Sequence, residues 1–217
     1  LEVDSDTVET HLAVGKLFRK RGEVDRAIRI HQNLIARPNL ERVYREQSLF
    51  ELGSDYLSAG MLDRAEKIFH ELVDAKSYSA QALRALIDIY QQEKDWNNAI
   101  TVSKKYESVS KNNMQSVIAQ YHCEIAETAY QKRQFDVANQ HLLSAFAADQ
   151  SCVRSSLLQA KVFYQLEKYQ DALKCLQKIK DQNPNYLSES IDLIALCYEK
   201  LGQEDELVVH LNKLADE

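Results

Sequence analysis

Residues 11–35 read HLAVGKLFRKRGEVDRAIRIHQNLI. Gly15 and Ala27 stand twelve residues apart in this stretch, and Gly22 lies between them. Small side chains at two such places allow two helices to cross with their backbones close together. A glycine between them suits a tight turn, because glycine adopts a positive φ without steric cost. The stretch therefore predicts two antiparallel helices, A and B, joined near Gly22.

The same landmarks recur along the chain. The alanines that match the one in the first hairpin are separated by 38, 34, 39 and 34 residues, and 34 residues is the period of tetratricopeptide (TPR) repeats. They are Ala27, Ala65, Ala99, Ala138 and Ala172. Twelve residues before them, at repeat position 8, stand Gly15, Gly53, Ile87, Ala126 and Ala160. A sixth unit aligns through Ala195, Tyr198, Gly202 and Leu207.

The glycines and prolines support the same repeat. The chain has only 5 Gly and 2 Pro, and each of them falls on a landmark. Two glycines occupy position 8, three occupy the A–B turn at position 15, and both prolines stand where helix B must end. Position 8 holds Gly15 and Gly53, position 15 holds Gly22, Gly60 and Gly202, and the ends of helix B hold Pro38 and Pro184.

These patterns predict an all-α fold, a TPR α-solenoid of six antiparallel helix hairpins in a right-handed superhelix. We expect a single array over residues 1–217. Residues 42–45 and 114–118 interrupt the period, and each insertion is expected to lengthen the A helix that follows it. The predicted repeats are 8–41, 46–79, 80–113, 119–152, 153–186 and 188–217.

Composition narrows the class of protein. Hydrophobic residues make up 45% and charged residues 28%, which is typical of a folded chain, and a net charge of −6 gives no support for nucleic-acid binding. No apolar run approaches the roughly 18–20 residues needed to span a bilayer. The chain begins with Leu1 and not with Met, so we expect a fragment of a longer protein.

The sequence carries no recognisable catalytic machinery. It has no Gly-rich phosphate loop and no G-x-S-x-G motif, and none of its six histidines stands four residues from another His or Cys. The four cysteines form no C-x-x-C pair, which suits free thiols in a reducing compartment. We therefore expect neither an enzyme nor a bound metal or cofactor in this fragment.

The candidate site is the concave groove that the A helices of a TPR stack line. Positions 2, 5, 9 and 12 of each repeat are expected to face it, including Leu12 and Cys123 at position 5. Exposed aromatic and arginine side chains are typical binding anchors. The predicted partner-binding residues are Lys16, Arg19, Phe50, Leu57, Arg84, Asp88, Tyr130, Arg154, Lys161 and Tyr164. The aromatic and apolar members could instead be covered by neighbouring repeats.

Two stretches point to a particular group of TPR proteins. Residues 11–35, together with LGSDYLSAGMLDRAEKIF at residues 52–69 and the order of the later repeats, resemble the lipopolysaccharide assembly protein B family of Gram-negative bacteria. That family has an N-terminal inner-membrane anchor, a cytoplasmic TPR region and a C-terminal rubredoxin-like zinc or iron module with two C-x-x-C pairs. This chain shows only the TPR region, so the resemblance implies no metal here.

The resemblance implies an adaptor on the cytoplasmic side of the inner membrane, attached through a missing N-terminal anchor. Its partners would be the deacetylase that commits the cell to lipid A synthesis, the membrane AAA+ protease that degrades it, and lipopolysaccharide assembly proteins. The alternatives are a general TPR co-chaperone or assembly scaffold, a role beside a sugar-transfer enzyme, and a homodimer through the last repeat. Leu207, Leu211 and Leu214 have no following repeat to cover them.

Overall fold

The computed structural model describes residues 5–215, and these form twelve α-helices, one short 3-10 helix and no strand. The all-α prediction is confirmed. The helices are α1 (Ser5–Lys20), α2 (Val24–Ile35), α3 (Arg42–Ser58), α4 (Leu62–Asp74), α5 (Ser79–Glu93), α6 (Trp96–Ser110), α7 (Gln115–Gln131), α8 (Phe135–Ala148), α9 (Val153–Gln165), α10 (Tyr169–Gln182), α11 (Leu187–Leu201) and α12 (Glu204–Ala215).

Odd-numbered helices are the A helices of the six repeats, and even-numbered helices are the B helices. The two predicted insertions do lengthen helix A, since α3 and α7 have 17 residues each and include most of residues 42–45 and 114–118. Both prolines follow a B helix as predicted. Pro38 lies in the turn after α2, and Pro184 begins the 3-10 helix Pro184–Tyr186 after α10.

The chain forms two compact units, Leu1–Asn112 and Asn113–Glu217. In the first unit each helix from α1 to α6 packs against the next, and the A helices α1, α3 and α5 also contact one another in order. The second unit repeats this scheme with α7 to α12, where α7, α9 and α11 are in contact. Each unit is therefore a stack of three hairpins, and a single array over 1–217 stays a prediction.

Small residues at position 8 do allow close crossings. A Cβ atom added to Gly15 would lie 2.4 Å from His31 Nε2, and one added to Gly53 would lie 3.0 Å from the Phe69 ring. The alanine at position 20 is completely buried in each of the first five repeats. Helices A and B thus touch through glycine or alanine, and the residue at position 24, such as His31 or Phe69, fills the space beside position 8.

All six A–B turns share one backbone geometry, including the three that lack glycine. The residue at position 15 has φ between 57° and 80° in every repeat. In each turn the N–H of position 16 donates to the carbonyl of position 11, and the N–H of position 15 donates to that of position 12. This pattern is the Schellman motif that ends many helices. The residues at position 15 of the six repeats are Gly22, Gly60, Lys94, Arg133, Glu167 and Gly202.

Replacing Glu167 with glycine is expected to stabilise the protein. Glu167 has φ 59°, a conformation in which a side chain costs about 1 kcal/mol, and glycine relieves that cost. The matched control is Gly60→Ala, which should cost a similar amount, because φ there is 71° and an added Cβ meets no atom within 4 Å. Urea unfolding measures both changes, and equal stabilities for wild type and Glu167→Gly would contradict this account of the turn.

The core contains two residues that were predicted to face the groove. Leu12 is only 2% exposed and packs with Val8 and Leu34. Cys123 is completely buried in the core of the second unit. The prediction for position 5 is therefore wrong in these two repeats, because Leu34 and Leu40 pack over Leu12, and Cys152 lies against Cys123 with 3.9 Å between the sulfurs.

The last repeat leaves apolar side chains uncovered. Val208 and Val209 of α12 are exposed, whereas Leu207 packs against the core and Leu211 is half-buried. The side chain of Leu214 lies outside the described residues. Pairing of two copies through this repeat stays a prediction.

Candidate partner-binding site

Two arginine clusters stand at positions predicted for the groove. In the first unit Arg19, near the end of α1, reaches two carboxylates of α3. Its Nη1 lies 2.6 Å from Asp55 Oδ1, and its Nη2 lies 2.7 Å from Glu51 Oε2. Lys16 adds a second cation, with Nζ 2.8 Å from Glu51 Oε1. Asp55 is completely buried and Glu51 is nearly so, so these cations balance negative charge inside the protein.

His31 of α2 extends the first cluster to the close crossing at Gly15. The His31 ring is completely buried, and its Nδ1 lies 2.5 Å from Asp55 Oδ2. Its opposite edge faces Gly15, and Nε2 has no hydrogen-bond partner. Asp55 therefore accepts from both Arg19 and His31, which joins repeat 1 to repeat 2. Burial opposes the charge on Arg19, but the hydrogen bonds that it donates to Glu51 and Asp55 outweigh this effect and raise the pKa of the guanidinium.

These contacts define what Lys16 and Arg19 do within the chain. Their charged ends are held by Glu51 and Asp55, and the Arg19 side chain is only 20% exposed. A partner that recruited Arg19 would leave a buried carboxylate without its cation. Contact of these two residues with another protein stays a prediction.

The other predicted residues of the first unit differ in exposure. Phe50 is half-buried and stacks on Tyr78 with ring centroids 5.2 Å apart. Leu57 is half-buried too. Arg84 and Asp88 lie one turn apart on α5, with 3.6 Å between Nη2 and Oδ1. Their side chains are 55% and 41% exposed, so this ion pair is weak. Phe69 and Tyr78, two rings of the same repeat, therefore cover Phe50 in part, and cover by a neighbouring repeat stays a prediction.

In the second unit Arg154 of α9 bridges two carboxylates of α7. Its Nη1 lies 2.6 Å from Glu124 Oε1, and its Nη2 lies 2.9 Å from Glu127 Oε2. All three side chains remain more than a third exposed, unlike the cluster around Asp55. Burial opposes the charge here as well, but the two hydrogen bonds raise the pKa of Arg154. Water reaches this cluster, so the ion pairs hold Arg154 only weakly.

Three further predicted residues lie on the same A helices. Tyr130 of α7 is half-buried, with its ring centroid 5.9 Å from that of Phe135. Tyr164 of α9 is half-buried and meets Tyr169 edge to face at 5.4 Å. Lys161, one turn before Tyr164, is exposed. The second unit therefore brings an exposed cation and two partly exposed rings to the A helices that also carry Arg154.

A cavity of about 460 Å³ opens beside Arg154. It lies between α7, the start of α9 and the turn before α11. Polar and apolar side chains share its wall, which suits the side chains of a polypeptide. The lining residues are Gln120, Asp149, Ser151, Cys152, Val153, Arg154, Leu157, Asn183, Tyr186 and Glu189.

The sequence-based search missed the acidic partners of both arginines. Asp55 and Glu51 stand 36 and 32 residues after Arg19. Glu124 and Glu127 stand 30 and 27 residues before Arg154. Each separation is close to one repeat period, so a search for opposite charges about 34 residues apart would have found both clusters.

Two histidines that form no sequence motif are also neighbours. Nδ1 of His122 lies 3.0 Å from Nδ1 of His141, so one ring donates and the other accepts. Burial disfavours the imidazolium and lowers the pKa of His141. Throughout the part of the chain that the structure describes, no three His, Cys, Asp or Glu side chains are grouped as a metal site. Among residues 5–215 every helix is too short or too polar to cross a bilayer.

This histidine pair predicts a loss of stability in mild acid. Because the pKa of His141 is lower in the folded state than the usual value of about 6.5, the unfolded chain binds more protons below that pH. The free energy of unfolding should therefore decrease as the pH falls from about 7 through 6, and His141→Gln should weaken this dependence. Denaturant unfolding across this range measures it, and an unchanged slope in the variant would contradict the prediction.

Comparison with known proteins agrees with the repeat geometry. Family models described as tetratricopeptide repeat match residues 10–43 and 123–186. The chain therefore contains repeats of the tetratricopeptide repeat family at those residues.

Within that family, the predicted resemblance to lipopolysaccharide assembly protein B is confirmed. The chain is 36% identical to that protein of Escherichia coli over 217 residues, covering 100% of this chain and 56% of the relative. The protein of the same name from Haemophilus influenzae is 35% identical over 216 residues, covering 97% and 53%. The chain thus spans about half the length of the curated relatives it matches.

Solved structures of helical repeat proteins are more distant. A crystal structure of MamA is 19% identical, with a TM-score of 0.48 over 79% of this chain and 90% of that one. A TPR protein of Thermus thermophilus is 17% identical, with a TM-score of 0.42 over 89% and 98%. The assignment to the TPR family therefore rests on the hairpins of this chain and on the family matches.

Proposed function

We propose that this chain is a non-enzymatic adaptor in lipopolysaccharide assembly, with a protein partner held on the A helices of its second unit. The observation that carries the proposal is the similarity of the whole of this chain to about half of lipopolysaccharide assembly protein B, in a chain whose A helices bring together Arg154, Lys161, Tyr164 and an open cavity. Tyrosine and arginine beside a concave surface are typical anchors for another protein.

In finer terms, we propose that the adaptor acts on the cytoplasmic side of the bacterial inner membrane. It would hold the deacetylase that commits the cell to lipid A synthesis and present it to the membrane AAA+ protease for degradation. The family resemblance implies these two partners. Weakly held charges support contact with a protein partner at this place, because Arg154 can exchange Glu124 or Glu127 for a carboxylate of the partner at little cost.

The test is a binding isotherm of the purified chain with the deacetylase, and separately with the cytoplasmic part of the protease. Lys161→Glu is expected to weaken binding about tenfold, because it reverses an exposed charge among the proposed anchors. Lys174→Glu is the matched control, since Lys174 is exposed on the B helix α10. It should leave affinity unchanged.

Each other outcome decides between the alternatives. Saturable binding that both lysine variants reduce equally would show that the A helices are not the contact surface. No binding to either protein would contradict the adaptor role in turnover. Equal binding of unrelated unfolded polypeptides would favour the general co-chaperone.

A further inference from the structure

Two of the four cysteines face each other in the second unit. Cys123 belongs to α7, and Cys152 is the residue that precedes α9, yet their Sγ atoms are 3.9 Å apart. Both side chains are buried, and 28 residues of chain separate them in sequence. A spacing of this size lies within reach of a disulfide, which requires the sulfurs to approach by roughly 2 Å.

The two thiols occupy different surroundings. Cys152 lines the cavity of about 460 Å³ beside Arg154, whereas Cys123 is enclosed in the core and is not part of the cavity wall. Nε2 of Gln120 lies 3.5 Å from Cys152 Sγ, a distance at which the amide donates to sulfur. Cys152 also stands at the N-terminal end of α9, where the helix dipole favours negative charge. Small molecules can therefore reach Cys152 first.

The hydrogen bond between the thiols distinguishes them chemically. Either thiol can donate in the neutral pair, but once Cys152 is a thiolate only Cys123 can donate; this hydrogen bond and the contacts of Ser155 outweigh burial and lower the pKa of Cys152. The same hydrogen bond, together with burial, raises the pKa of Cys123. Cys175 and Cys197 lack such a neighbour, and burial raises the pKa of both thiols. Only a thiolate reacts readily with an oxidant, so the reactive member of the pair is Cys152.

We propose that Cys123 and Cys152 form an oxidation site, at which a peroxide converts the two thiols into an intramolecular disulfide. The Cys152 thiolate attacks one oxygen of hydrogen peroxide, and the O–O bond breaks. The products are a sulfenic acid on Cys152 and a hydroxide ion, and the hydroxide takes up a proton to give water. Cys123 sulfur then attacks the sulfenic sulfur and expels a second water. In total two thiols and one peroxide give one disulfide and two waters, and sulfur is oxidised while oxygen is reduced.

The disulfide would act on the surface beside it. Closing the gap between the sulfurs draws the start of α9 toward α7, and these are the helices that Arg154, Glu124 and Glu127 connect. The wall of the cavity changes at the same time, because Cys152 is part of it. The site itself does not depend on which protein the A helices bind.

The experiment treats the purified chain with hydrogen peroxide and follows each cysteine by peptide mass spectrometry without reduction. We expect a linked pair of peptides containing Cys123 and Cys152, two hydrogen masses below the sum of the reduced peptides. Cys175 and Cys197 are internal controls. Peroxide should oxidise them at least about tenfold more slowly, so they should remain free for alkylation. Similar oxidation of all four cysteines, or sulfinic acid at Cys152 without linkage, would overturn the proposal.

A variant checks the order of the two steps. In Cys123→Ser the hydroxyl can still donate to Cys152 but cannot form a disulfide, so Cys152 should stop at sulfenic acid and be labelled by dimedone, whereas the wild type should label little. Labelling of wild type and variant to the same extent would also overturn the proposal. If the variant does not fold, the linkage in the wild-type chain still decides the question.

Discussion

Gly15→Ala is expected to lower the free energy of unfolding by about 3 kcal/mol, because it overpacks the crossing of α1 and α2. The added Cβ would lie 2.4 Å from Nε2 and 2.5 Å from Cε1 of His31. The ring cannot turn away, since Asp55 holds Nδ1 from the other side and no part of the ring reaches solvent. For a chain of this length the melting temperature should fall by about 6–12 °C, as measured by circular dichroism.

A double variant separates this clash from other effects of the substitution. In a His31→Ala background the ring is gone, so adding Gly15→Ala should cost less than about 1 kcal/mol, and the two changes should be strongly non-additive. A full loss in both backgrounds would mean that the close crossing of the helices, and not the ring, excludes a side chain at position 8.

Arg19→Met is expected to cost about 3–5 kcal/mol, because it leaves two buried carboxylates without their main cation. Methionine keeps most of the apolar stem of arginine but none of the three hydrogen bonds that Arg19 donates to Glu51 and Asp55. Asp55 is completely buried and Glu51 is 5% exposed, so water cannot replace the guanidinium. His31 and Lys16 remain and offset part of the loss. Urea unfolding of the variant beside the wild type measures the change.

The matched control is Arg154→Met, which also removes an arginine that bridges two carboxylates. The side chains of Glu124 and Glu127 are 37% and 41% exposed, so water takes over when the guanidinium is lost. The cost should be below about 1 kcal/mol. If both variants lost the same stability, burial would not be what distinguishes the two clusters.

Much of the fold could be predicted because its determinants are local. Gly22, Pro38 and the alanines at position 20 mark the ends and crossings of helices directly, and the structure places them there. The longer A helices α3 and α7 followed from the interrupted period in the same way.

The candidate site was harder to predict because burial at one repeat position depends on which side chains of other helices pack over it. Leu12 and Cys123 were predicted to face the groove and are buried, whereas Arg84 at the same repeat position is exposed. The partners of Arg19, and the approach of Cys123 to Cys152, join residues that are about one repeat apart in sequence. Residue type alone does not reveal such contacts.

The common geometry of the six A–B turns has an evolutionary consequence. Backbone hydrogen bonds close each turn, and glycine at position 15 contributes only relief of strain. A repeat can therefore carry another residue at position 15 and keep the hairpin, as Lys94, Arg133 and Glu167 show within one chain. Relatives of this protein are free to diverge at the turns, and ancestry is better traced through the buried alanines, where any larger side chain would force the helices apart.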